Sequence, residues 1–328
     1  MTYFAMKSEL TVQTVPEKYS RLPSSKMITR SERERNDKIN LKEISTDSAL
    51  LLYRKQLAKM KKNGYFEVKT LNTGPVSYDN SETPGHSRFP DKLRGKPTWE
   101  PETFADFNHW LPKHKYYVGF GAWIGVTLFY ATQFVQSAVG FEGDPVAFAM
   151  AETNLNWNTH RTWYNHTNVY PVAVLQGSAQ QSEGDVITMR SSSAGGSCSF
   201  VGDPKTKKWC GNVGTSWKIK GYTLPHLLNL TDIPASNETF IKIDVESYEW
   251  DLLPSWINWL KNIKDKPTMR VSFHNNRRCG PQELFDKLLT FSKLYKTVWM
   301  DGMKTTLLNS FNLSNCFIRT LDFSDHEY

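Results

Sequence analysis

The 328-residue sequence is poor in cysteine, with four, and lacks any long apolar run. Cys198, Cys210, Cys279 and Cys316 form no C-x-x-C pair and have no histidine at zinc-site spacing, which argues against a metal cluster. Cys198 and Cys210 flank GDPKTKKW and could face each other across a hairpin, although a reducing compartment would keep them as thiols. No stretch approaches the roughly 18 apolar residues of a spanning helix, so no membrane span is expected. The opening residues, MTYFAMKSELTVQTVPEKYSR, lack the basic segment and apolar stretch of a secretory leader, and the expected location is the cytoplasm. Without secretion, the Asn-x-Ser/Thr matches at Asn165, Asn229, Asn237 and Asn312 carry no weight.

What is present is an ordinary globular composition, 39% hydrophobic and 22% charged, with an uneven charge. The first 98 residues carry a net +8 and the remainder a net −1. A basic arm suits phosphate-rich partners, but lysines on a solvated helical face give the same count.

Residues 1 to 45 mix charges of both signs with little apolar periodicity, as a partly disordered lead-in does. A helix is expected next, capped by Thr46 or Ser48, with Leu50, Leu51, Tyr53, Leu57 and Met60 on one face to dock on the main domain and Gly64 as its stop. From Thr73 to Glu102, Pro, Gly, Ser and Asn dominate, and an extended connector is expected. The chain is thereby divided into a basic extension, 1–98, and a main domain, 99–328.

Past Trp110, short β-like runs alternate with helical stretches, the pattern of an open α/β sheet covered on both faces. Strands are expected at Tyr116–Phe120, Ala138–Glu142, Val169–Val174, Thr239–Val245, Met269–His274, Tyr295–Met300 and Cys316–Leu321. Helices are expected at Ile124–Gln136, Pro145–Asn156, Tyr248–Leu260 and Pro281–Ser292, and the last two strands should pair as a long-loop hairpin. A polar, glycine-rich insert at about 176–222 predicts one or two small hairpins ending in a short TLPHLL helix. The three tryptophans of WDLLPSWINW are at near-helical spacing and are expected to pack a crossover helix on the sheet.

The chemistry gathers at two strand ends. YYVGFGAWIGVTLF runs from strand through a glycine turn into a helix, where Gly119, Gly121 and Gly125 allow backbone to approach a ligand and the helix start offers free N–H groups. About 20 residues on, Glu142 ends the next strand, where a carboxylate can accept from both hydroxyls of a ribose. Together they predict an adenosine-type ligand.

The runs VGFGAWIG, VGFEGDPVAFAMAETNLNWN, VYPVAV and FIKIDVESYEWDLLPSW resemble, in order and spacing, the motifs of FkbM-type methyltransferases. Those are a D-x-G-A-N-x-G turn, F-E-P-x-P with a downstream N-L-x-x-N, and K-I-D-V-E-G-x-E. The resemblance covers roughly residues 116 to 274. It implies a class I methyltransferase-like, Rossmann-like α/β sheet of about seven mostly parallel strands, S-adenosylmethionine as cofactor, and methylation of a small-molecule or glycan hydroxyl. It further implies that Gly121 and Gly125 form the turn around the methionine part, with Gly119 and Trp123 also at the cofactor. Glu142 would hold the ribose, Asp144 and Pro145 would shape the loop near the adenine, and Asp244 and Glu246 would face the transferred methyl or the acceptor. His274, at a strand end beside Asn275, Arg277 and Arg278, suits a proton acceptor near neutral pH.

The chain departs from the family pattern at four places. The leading acid of the turn is Gly119, the usual Asn is Trp123, the Gly after K-I-D-V-E is Ser247, and Phe273-His274 replaces an acidic end to the fifth strand. With Gly119, the methionine amino group loses a nearby carboxylate, which also suggests a catalytically idle scaffold. G-F-G-A-W-I-G further satisfies a loose dinucleotide turn, and a nicotinamide-dependent oxidoreductase is the other alternative. Nucleic acid is not the expected acceptor, because the chain has neither a D/N-P-P-Y/F run nor a Pro-Cys pair.

Overall fold

The structure, a computed structural model, describes residues 47–60, 65–68, 75–79, 99–177, 184–196, 199–201, 214–246, 248–274, 282–300, 303–305 and 320–325. The lead-in, Cys198, Cys210, Cys279, Cys316, Ser247, Asn275, Arg277 and Arg278 lie outside them.

The first helix, α1 (Asp47–Met60), is followed by an antiparallel pair, β1 (Tyr65–Val68) and β2 (Val76–Asp79). The expected helix is therefore present, while the segment read as plain connector contributes a strand. As expected, α1 docks on the main domain: Tyr53 hydrogen-bonds Glu152 and stacks on Phe148 at 6.0 Å. Inside the same connector lies the start of α2 (Pro101–Trp110), whose first position is a proline.

The sheet then begins with β3 (Tyr116–Phe120), α3 (Val126–Ala131), β4 (Ser137–Phe141), α4 (Pro145–Trp157) and β5 (Thr167–Tyr170). The run expected as one strand at Val169–Val174 divides at Pro171, which has no N–H for a ladder. There the chain leaves the main sheet and enters a second one through β6 (Ala173–Leu175). The insert supplies β7 (Val186–Ser191), β8 (Ser199–Val201) and β9 (Thr215–Thr223), ordered β6-β9-β7-β8, and ends in the short helix α5 (Leu224–Leu230).

The chain returns through β10 (Thr239–Ile243), then α6 (Glu249–Ser255) and α7 (Ile257–Lys261). One helix was expected here; Pro254 cannot donate an i→i−4 bond, and the helix restarts beyond Trp256. Trp250 and Trp256 are buried in the core with Trp259 packed against them, as the packing reading predicts. The remaining elements are β11 (Thr268–Ser272), α8 (Gln282–Ser292), β12 (Thr297–Met300), β13 (Met303–Thr305) and β14 (Thr320–Ser324).

The main sheet is ordered β13-β12-β14-β11-β10-β3-β4-β5. Strands β5, β4, β3, β10 and β11 run parallel, β14 is antiparallel to both β11 and β12, and β13 is a short edge strand. This is the expected class I methyltransferase-like, Rossmann-like sheet, closed by the expected hairpin of its last long strands. The chain builds outward from β3 through β4 to β5, then returns to place β10 on the other side of β3. Such a reversal leaves a crevice at the carboxyl ends of the central strands.

Two polar devices fasten the N-terminal elements to this sheet. Buried Asn158 accepts from the N–H of Ser77 and donates to its carbonyl, both at 2.8 Å, so the side chain pairs with β2 as a neighbouring strand would. Arg270, fully buried on β11, joins Asp106 of α2 to Asp322 of β14. Asn158→Ala leaves the Ser77 amide and carbonyl buried without these partners and should destabilise the fold by about 2–3 kcal/mol. Urea unfolding checks this; an unchanged midpoint would mean that β2 is not held by Asn158.

Candidate functional site

The crevice is a cavity of about 500 Å³, within the usual size range of small-molecule sites. Its floor is the meeting of two strand ends. Gly121 has φ +75°, and a Cβ there would lie 1.8 Å from the carbonyl oxygen of Asp244, so only glycine allows the turn after β3 to touch the end of β10. Asp244 N–H to Phe120 O at 3.0 Å joins the two ends, and Gly121 N–H to Phe141 O at 3.0 Å ties the turn to β4. Gly125, at φ +89°, lies against the Phe129 ring, and Asn154 of the N-L-x-x-N run donates to Ile124 O at 2.9 Å. That motif is thus a brace: one Asn holds the turn and the other holds β2.

Glu142 lines the cavity and is buried. Its two carboxylate oxygens each accept one backbone N–H at 2.7 Å, from Trp123 and from Asp144. A carboxylate has about four lone-pair sites, so each oxygen keeps acceptor capacity for a ligand. Burial, then Asp144, pushes its pKa up to about 7.

The other predicted cofactor residues take up different roles around this group. Trp123 has a left-handed backbone (φ 48°), aims its N–H at Glu142, and donates from its indole to Gly195 O at 3.1 Å. Asp144 caps α4 through Val146 N–H and Ala147 N–H, and its second oxygen accepts from Gly195 N–H at 2.8 Å and Ser199 Oγ at 2.6 Å. It clamps the insert to the strand-end loop, helped by Trp217, which donates to Gly143 O at 2.8 Å. Pro145 opens α4. Gly119 lies within β3, and its missing Cβ is replaced by the Tyr117 ring, 3.1 Å from where it would be. Of the ten predicted residues, Gly121, Trp123, Glu142, Asp244, Glu246 and His274 line one cavity, whereas Gly119, Gly125, Asp144 and Pro145 stand behind its wall.

Opposite Glu142 sits a tight charge cluster. His274 lies with Nε2 3.2 Å from Asp244 and 3.7 Å from Glu246, and donates from Nδ1 to Glu249 at 3.1 Å. Burial pulls the imidazole pKa down, but Asp244, the bond to Glu249 and Glu246 outweigh it and raise it to about 10. With that pKa the residue expected as a proton acceptor holds a proton near neutral pH. Glu246, on a left-handed backbone (φ 55°), is pushed up to about 8, chiefly by burial. Asp244 is held low, because buried Lys242, which hydrogen-bonds it, and His274 outweigh burial. Donor atoms of Asp244, Glu246 and His274 lie within 4.8 Å of one another and could hold a cation; the imidazolium proton serves the same neutralising purpose.

Sequence reasoning missed Glu100, which lines the cavity from the turn before α2, and read Lys242 only as part of a strand end. Nothing in the local pattern around Glu100 signals a site, since its neighbours in space are distant in sequence.

A scan against protein-family models and a search of curated proteins gave no match. Among solved structures, the chain is similar to methyltransferase FkbM from Methylobacillus flagellatus KT, at 14% identity and TM-score 0.30, over 69% of this chain and 48% of that one, about half its length. It is also similar to an S-adenosylmethionine-dependent O-methyltransferase from Thermotoga maritima, at 9% identity and TM-score 0.33, over 80% and 78% of the chains. A third is TYW2 from P. horikoshii in complex with MeSAdo, at 12% identity and TM-score 0.34, over 81% and 73%. At this level of similarity they assign neither ligand nor acceptor to the cavity.

The cluster predicts a pH dependence of stability with a definite sign. Glu142 and Glu246 are raised above the 4.5 of an unfolded glutamate, so the folded protein binds their protons more tightly and loses stability as pH rises through about 7 and about 8. His274 contributes stability fully below its unfolded value of 6.5 and loses it as pH rises through about 10. All three act in one direction, and the melting temperature should fall from mildly acid to alkaline pH. His274→Gln should flatten the decline at its alkaline end; a variant whose profile runs parallel to the parent's would sink the assignment.

Proposed function

We propose that the chain is an S-adenosylmethionine-dependent methyltransferase acting on a hydroxyl of a small or sugar-like acceptor. The observation that carries this reading is Glu142, whose oxygens are both oriented by backbone N–H groups and keep free acceptor sites in a cavity beside the Gly121 turn. A ribose diol fits such a carboxylate.

Charge favours this cofactor over a nicotinamide dinucleotide. The cavity is lined by Glu100, Glu142, Asp244 and Glu246 against the cations Lys242 and His274. A sulfonium with an ammonium is welcome among carboxylates, whereas a pyrophosphate would meet like charge.

When bound, S-adenosylmethionine supplies a methyl group on a positively charged sulfur. Glu142 and the Gly121 turn would hold the nucleoside, and the β10 end would present the acid cluster to the acceptor. Glu246 is the group suited to take the hydroxyl proton, since its pKa of about 8 is close to a neutral working pH. His274 positions it: an imidazolium between Asp244 and Glu246 keeps two carboxyl groups close without mutual repulsion. Glu246, as a carboxylate lining the cavity, would accept the proton released from the acceptor's O–H bond. The main contribution of the protein is alignment of the two reactants.

Glu142→Ala should weaken S-adenosylmethionine by about 1.5–3 kcal/mol, the usual worth of hydrogen bonds to a charged group. Calorimetric titration, paired with a melting curve because Trp123 and Asp144 lose an acceptor, checks this. An unchanged dissociation constant in a folded variant removes Glu142 from the site. In the same melting assay, a nicotinamide dinucleotide that raised the parent's melting temperature while S-adenosylmethionine did not would favour the oxidoreductase reading.

A further inference from the structure

Glu100 sits in the cavity as a carboxylate that the fold itself leaves incompletely served. It is the residue before α2, held with φ 45° and ψ 50°, a left-handed conformation that a non-glycine residue adopts at a cost. Thr103 hydrogen-bonds the carboxyl, yet Oε2 is shielded from solvent and accepts no hydrogen bond. Lys242 Nζ is 3.9 Å from this oxygen, beyond hydrogen-bond reach, and is already bonded to Asp244. One lysine thus faces two carboxylates, and Glu100 is the one in excess. Burial pushes its pKa up against the pull of Lys242.

At position 119, where the family pattern has an acid, this chain has a glycine. Tyr117 fills the space in front of Gly119, 3.1 Å from a would-be Cβ, and Lys242 stands beside it in register on β10. A carboxylate for the same corner of the cavity must come from another element, and α2 delivers one. The helix that carries Glu100 is itself fixed to the sheet by the buried pairing of Asp106 with Arg270.

Resting on the methyltransferase reading, we propose that Glu100 binds the α-ammonium of the amino-acid part of S-adenosylmethionine, supplying from α2 the carboxylate that the glycine turn lacks. An ammonium brings three donors and a full charge to an oxygen that has neither.

The test uses two ligands that share a nucleoside and a sulfur: S-adenosylhomocysteine, which has the ammonium, and 5′-methylthioadenosine, which lacks the whole amino-acid part. Glu100→Gln keeps shape and removes charge. By calorimetry, S-adenosylhomocysteine should bind the variant about ten-fold or more weakly than the parent, as loss of a charged hydrogen bond implies, while 5′-methylthioadenosine binds both equally. The ligand-free variant should melt no lower than the parent, because a shielded, underserved carboxylate has been removed; should it unfold, Glu100→Asp, which keeps the charge, takes its place and should retain the preference for S-adenosylhomocysteine. Equal weakening of both ligands, or unchanged binding of S-adenosylhomocysteine, overturns the role of Glu100 alone. A folded parent that binds neither ligand overturns the methyltransferase reading and this assignment with it.

Discussion

The contact between Gly121 and the Asp244 carbonyl is the constraint on which the cavity depends. Nothing larger than hydrogen fits between the two chains there, and the left-handed turn that results carries Trp123 past the end of β4 with its N–H toward Glu142. The same turn lets Asp244 close onto Phe120, so the K-I-D-V-E strand end stops directly over the glycine loop. The position of Glu142 and the position of the acid cluster are consequences of one close approach.

Around this junction the protein gathers more ionisable groups than a core tolerates unless they compensate one another. Lys242 with Asp244 is a satisfied pair, and His274 is held between Asp244, Glu246 and Glu249. Glu142 meets two backbone N–H groups, and Glu100 faces Lys242 at 3.9 Å.

Much of the fold was legible because its signals are local. Alternating apolar runs marked the strands, Asp144-Pro145 marked the start of a helix, and Gly121 with Glu142 marked the strand ends that meet at the cavity. What escaped has causes outside local pattern. β2 pairs with β1 and is held on its other side by Asn158, a residue distant in sequence, and Val169–Val174 is two strands because Pro171 sends the chain from one sheet to another. The raised pKa of His274 depends on three carboxylates that converge only in space. The role of Asp144 was visible as a cap, but its second oxygen answers to Gly195 and Ser199 in the insert, a partnership that no spacing rule could supply.

Strands β3 and β10 lie side by side although Phe120 and its partner Ile243 are separated by about 120 positions. Pairings of such long range are slow to form, because loop closure precedes any reward from contact. At the roughly 5–20 residues per second of protein synthesis, a growing chain would carry the glycine turn and Glu142 for on the order of ten seconds before β10 emerged. During that interval the apolar face of β3 has no neighbour on one side and the turn has no floor. The nascent chain therefore presents an open strand edge at Tyr116–Phe120, and a chaperone that shields it until Thr239–Ile243 arrives would act on the folding step that also creates the cavity.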